Sequence, residues 1–142
     1  KTIAEQIKKD DSVINELERI ADVVSKNLLP KAQLWTTEKN DFSENGKKEI
    51  LEYHVKTQKQ INRAIVVFSE LNLQKAKEMK KKQKKYEELA FELEKHHFER
   101  LKENVQPSVK SSKIHLEIIN SLQIINAHAT NIARSILKNA NN

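Results

Sequence analysis

The residues able to do chemistry in this chain are few and scattered. Its imidazoles are His54, His96, His97, His115 and His128, and it has no cysteine. Imidazole ligates metals and moves protons near neutral pH. No two of these histidines stand four apart, so any site built on them must be assembled between separate segments. Glu94 and His97 have the Glu-x-x-His spacing of carboxylate-bridged di-iron bundles, which need a second such motif and two further glutamates. No second motif occurs, which weighs against a metal-dependent enzyme. Glu18 and Asp22 stand four apart with Glu16 nearby. Carboxylates at that spacing share a helix face and hold a hard or borderline cation weakly, or simply form a solvated acidic ridge beside Arg19.

The other polar features concern association. Asn126 and His128 lie within an otherwise apolar helical pattern, where a plain bundle helix carries leucine. Seven lysines, Lys75, Lys77, Lys80, Lys81, Lys82, Lys84 and Lys85, crowd one short stretch. Lysines near a helix start oppose the macrodipole. The run reads as a solubilising charge face with partners such as Lys84 and Glu88, or as a contact for an anionic lipid surface. The formal net charge of +6 permits an anionic partner without requiring one. The seven aromatic residues are dispersed, so no stacking platform for nucleic acid is expected.

Four long helices must position these groups. One glycine in 142 residues excludes glycine-rich phosphate loops and hairpin-rich sheets. No apolar run reaches the roughly 20 residues of a membrane span. The absence of cysteine fits a reducing compartment. A capping box at Thr2 and Glu5 opens a first helix to about Leu29, with Ile14, Leu17, Ala21, Val24 and Leu28 as its packing seam. Pro30 stops it. The stretch from Lys31 to Phe42 is expected to be a connection with a helical turn near Trp35. A second helix runs from about Ser43 to Leu71 on the stripe Ile50, His54, Thr57, Ile61, Ala64, Phe68 and Leu71. A third runs from about Gln74 to Asn104, burying Met79, Tyr86, Ala90, Leu93, His97 and Leu101. Pro107 and Ser108 open the fourth, whose seam is His115, Ile118, Leu122, Ile125, Ala129, Ile132 and Ile136. Short links make the last three antiparallel neighbours. The expected fold is all-α: an elongated up-down four-helix bundle forming one domain over residues 1–142.

The segment Ile14 to Leu29 resembles the helix signature of the PhoU family, which reads Glu-Arg-Ile-Gly-Asp. Glu18, Arg19, Ile20, Ala21 and Asp22 occupy those places, with alanine for glycine. The fourth helix resembles that of the PhoU-like C-terminal domain of bacterial sodium/phosphate cotransporters. Ser111, Ser112, Ile114, His115, Leu116 and Glu117 match its Ser/Thr then Ile-His-Leu-Asp pattern. Leu122, Ile125, Asn126, Ala127 and His128 match its Leu-x-x-Ile-Asn-Ser-His. His97, Arg100 and Leu101 match its third-helix ending.

The resemblance implies that Gln123 and Ala127 replace the carboxylates of one PhoU metal motif. Only Glu18 and Asp22 then remain, so no cofactor is expected beyond a weakly held divalent cation. It implies that Asn126 and His128 make helix-to-helix hydrogen bonds, and His97 and His115 join them as polar contacts between helices. It also implies a non-enzymatic regulatory domain on the cytoplasmic face of the inner membrane, continuing upstream of Lys1 into a membrane transport domain of the same chain. The other reading is a free-standing PhoU-type phosphate-signalling regulator that binds a sensor kinase or a phosphate importer. A generic helical adaptor is the plainest alternative, and association into a homo-oligomer stays open.

Overall fold

The structure, a computed structural model, describes residues 2–37, 42–103 and 109–141. Helix α1 (Ile3–Val23) starts at the expected capping box: Thr2 Oγ1 accepts from the Glu5 amide, and the Glu5 carboxylate accepts from the Thr2 amide. Its end departs from expectation. Pro30 does not stop the chain, which passes through one π-helical turn (Val24–Leu28) into α2 (Leu29–Thr37). Proline lacks the N–H that the Lys26 carbonyl would accept, and its ring crowds that carbonyl. The wider turn, in which the Leu29 amide reaches back to the Val24 carbonyl, absorbs both problems without ending the helix. Leu34 and Trp35 of α2 then pack on the core, so most of the expected connection is helical. Residues 38–41 lie outside the described residues.

Three long helices follow: α3 (Glu44–Glu70), α4 (Leu73–Lys102) and α5 (Val109–Ala140). Ser43 caps α3 by accepting from the Gly46 amide at 3.0 Å. Between α3 and α4, Leu71 takes a left-handed conformation with φ 52°. The Asn72 side chain then caps α4 through the Lys75 amide at 2.9 Å. The expected start of the last helix at Pro107 and Ser108 lies outside the described residues. The first helical rod (α1 with α2) and α3 to α5 make an all-α bundle, with no strand among the described residues. At ~1.5 Å per residue α5 is ~50 Å long, and α1, α3 and α4 all pack against it.

The core has two parts. Around the α3–α4 turn, Val13, Ile20, Val67, Met79, Ile125, Ile132 and Ile136 pack together. At the opposite end, Ile50, Tyr53, Leu93, Ile114, Ile118 and Leu122 do so beneath Phe42 and Trp35. The α5 seam is buried as expected throughout.

The α1 seam is not. Ile14 and Leu17 are 51% and 42% exposed, whereas Val13 and Ile20 are 1% and 8% exposed. A parallel three-four series, Val13, Glu16, Ile20 and Val23, faces α5 instead. The reason is polar. α5 presents His128, Asn131 and Ser135 to α1, and only the face carrying Ser12 and Glu16 can hydrogen-bond them. On α3 the expected Ile50, Thr57 and Ala64 are buried, but Tyr53, Gln60 and Val67 share that role, while Leu71 is exposed.

Urea unfolding distinguishes the two α1 faces. Ile20→Ala should lose about 2–4 kcal/mol, whereas Ile14→Ala should stay within ~0.5 kcal/mol of the parent.

Candidate functional site

Polar residues interrupt the apolar stripes of α3, α4 and α5 at matching heights, and the bundle brings them together. Gln60 and Gln83 occupy core-facing positions on α3 and α4, and Thr130 does so on α5. The Gln60 amide nitrogen donates to the Met79 carbonyl at 3.1 Å and to Thr130 Oγ1 at 3.0 Å. Thr130 Oγ1 lies 3.2 Å from Gln83 Oε1 and 2.8 Å from the Asn126 carbonyl, so its one proton serves either acceptor. Arg63 donates to Gln60 Oε1 and to the Tyr86 hydroxyl. Nearby, the Tyr53 hydroxyl donates to the Tyr86 carbonyl and accepts from Asn126 Nδ2 at 3.3 Å. Burial pushes the Tyr53 hydroxyl up to about 12, so it remains a donor at any physiological pH.

Asn126 and His128 thus point to different helices. Asn126 is 1% exposed and bonds α3. His128 Nδ1 lies 2.7 Å from Glu16 Oε2 on α1, and Asn131 Nδ2 reaches the same oxygen at 3.4 Å.

A second cluster lies near the start of α3 and the end of α4. His97 and His115 stack across α4 and α5, with ring centroids 4.6 Å apart and 11° between planes. Phe42 meets the His115 ring edge-on. Gly46 adjoins the stack: a Cβ there would make ordinary contact with the His115 ring at 3.5 Å but crowd the capping Ser43 Oγ at 3.2 Å. Glu49 lies beside the stack and takes two hydrogen bonds from Arg100, at 2.9 and 2.8 Å. Its carboxylate is 3.9 Å from His115 Nε2 and 3.7 Å from His96. Among the described residues neither ring nitrogen of His115 makes a hydrogen bond of good geometry, nor does His97 Nε2. Burial, and then the neighbouring His97, push His115 down to about 4 despite the opposing Glu49 carboxylate. Burial and the Arg100 charge lower His97 as well. Both rings are therefore neutral at pH 7, and His97 and His115 meet by stacking rather than by hydrogen bonding.

The remaining expected site residues stay apart. Glu18 and Asp22 lie on the exposed side of α1, and Asp22 pairs with Lys26 at 3.5 Å. Among the described residues no group of three His, Asp or Glu side chains could hold a metal ion. The residues therefore do not fit a PhoU-type metal cluster. The lysines from Lys75 to Lys85 lie along the first half of α4, five exposed and Lys75 and Lys82 half-buried. Lys84 and Glu88 form no ion pair, in contrast to the expected solvated pairing.

Tyr53, Gln60, Gln83 and Thr130 were not singled out in the sequence. The signal was present as a single glutamine in each of two rows spaced by seven residues: Gly46, Tyr53, Gln60, Val67 on α3 and Ala76, Gln83, Ala90, His97 on α4. Glu49 carried no such signal, because its role depends on Arg100, which is remote in sequence.

The family model described as "PhoU domain" matches residues 50–136, more than half of the chain and nearly all of α3 to α5. No curated protein and no solved structure matches the chain.

Two outcomes test this geometry. A histidine held neutral when folded takes up a proton on unfolding once the pH falls below its ordinary value. The unfolded state then binds more protons, and stability falls with pH. Stability present above about pH 6.5 should decline between about pH 6.5 and 4, with His115 contributing on the order of 3 kcal/mol across that window. In His115→Phe, chemical denaturation followed against pH should give a shallower decline. At the α1–α5 contact, His128→Ala leaves the Glu16 carboxylate short of a partner and should lower stability by about 1–3 kcal/mol in equilibrium urea unfolding.

Proposed function

Because the chain belongs to the PhoU family, we propose that it is the regulatory domain of a sodium-dependent phosphate transporter, held at the cytoplasmic face of the inner membrane by a transport domain of the same protein. Family membership gives regulation of phosphate homeostasis, without catalysis, as the role. The transporter setting rests on the resemblance of α4 and α5 to the cotransporter branch. One observation supports it most: His97, His115 and Asn126, three of the residues that carry the resemblance, are all buried between helices, at 4%, 1% and 1% exposure. They hold helices in place rather than face a substrate. In this reading the domain acts as a rigid body, docking against or releasing its transport partner.

A second reading, a free-standing regulator of a sensor kinase or phosphate importer, draws on another observation. Ile3, Ile7, Ile14 and Leu17 form an exposed apolar row on α1, with Ile3 82% and Ile7 63% exposed. A row of that kind suits an apolar partner helix.

Chromosomal deletion of this coding segment separates the two. A transporter domain should change sodium-dependent uptake of radiolabelled phosphate, directly and without new protein synthesis. If uptake is unchanged while phosphate-regulated transcription shifts, the free-standing regulator is the correct reading.

A further inference from the structure

Helix α4 has an outward face that no other element covers. Its inner row is Ala76, Met79, Gln83, Tyr86, Ala90, Leu93 and His97. On the opposite side, Lys77, Lys84, Phe91 and Phe98 follow one another at seven-residue spacing and so lie nearly in line along the helix. Leu73 and Lys80 flank that line. Phe91 is 69% exposed, Phe98 45% and Leu73 40%. Three large apolar side chains standing in water on one helix face mark a surface meant to be covered.

Outside the run from Lys75 to Lys85, the described residues include four ion-paired lysines, Lys26, Lys31, Lys47 and Lys95, whereas others such as Lys8, Lys56 and Lys59 are not paired. Among the described residues, no ion pair engages any of the seven lysines from Lys75 to Lys85. The first turn of α4 has no acidic residue, so the helix N-terminus adds its own partial positive charge to theirs. Glu87 and Glu88 separate the lysine half from the phenylalanine half, and Glu92, Glu94 and Glu99 border the latter together with Lys95 and Lys102.

We propose that the outward face of α4 lies on an anionic lipid bilayer, with its lysines against phosphate headgroups and Phe91, Phe98 and Leu73 entering the interface. Unpaired lysines followed along one helix by large exposed apolar residues suit an interfacial helix. A nucleic acid would match the charge but has no apolar phase for Leu73, and Phe91 lies two turns beyond the nearest lysine of the line. A second copy docked in parallel through the same face would set lysine against lysine, and one docked antiparallel is an outcome of the test. The inference goes beyond the transporter reading and does not depend on it, since a free-standing chain with this face would also bind lipid.

The test uses the full chain and sedimented vesicles. Vesicles of phosphatidylglycerol with phosphatidylcholine should bind it, and pure phosphatidylcholine should not. Salt near ~1 M should release it, because headgroup attraction fades within a Debye length. Lys77→Gln and Lys84→Gln should each lower the partition constant about fivefold. Phe91→Ser with Phe98→Ser should lower it further with unchanged helicity. Phe91→Trp should give vesicle-dependent blue-shifted emission above the Trp35 background. The proposal fails if anionic vesicles do not retain the chain, or if the paired serine variant binds them as well as the parent. It also fails if a single-stranded oligonucleotide displaces the vesicles at equal phosphate concentration, or if ultracentrifugation finds a dimer that the serine variant abolishes.

Discussion

The Gln60 side chain is the constraint on which the rest of the bundle depends. It is completely buried, and its amide spans three helices: α4 through the Met79 carbonyl, α5 through Thr130, and its own helix through Arg63. Apolar seams alone tolerate sliding, because one leucine or isoleucine replaces another at little cost. A buried amide does not. Shifting α4 or α5 by a turn would strand the donors and acceptors of this layer, at about 1–3 kcal/mol for each group left unsatisfied. Tyr53 and Asn126 repeat the device one level away, and Glu16 with His128 extends it to α1. The polar contacts fix register, and the isoleucine-rich seam of α5 supplies most of the cohesion.

The histidine stack follows from that register. Once α4 and α5 are set, His97 and His115 must face each other. A charged imidazolium would be costly there, so both rings are neutral. Arg100 satisfies Glu49 at the rim, and the acid neutralises Arg100 in turn. The cluster therefore closes one end of the core rather than opening a reactive site.

These constraints divide the described residues into an interior and outward faces on α1, α3 and α4 that carry exposed apolar side chains. The interior belongs to the PhoU match, which spans nearly all of the three helices joined by the Gln60 layer. Outside it, α1 keeps an uncovered apolar row, and α4 keeps a basic and aromatic one.

Helix content, the number of long helices, the capping box at Thr2 and the α5 seam were legible in the sequence by itself, because each depends on residues within a few turns of one another. The PhoU resemblance was legible too, through short motifs on α4 and α5, which lie within the matched residues 50–136. Tertiary structure decided which of two three-four series on α1 turns inward, because the choice depends on Glu16 meeting His128, residues far apart in the chain. It also decided that the helix survives Pro30, since packing of Leu34 and Trp35 outweighs a local break. The Gln60 layer and the Glu49–Arg100 pair belong to the same class. Periodicity locates an inward-facing position, but only the packed neighbours determine whether a polar group placed there finds its partner.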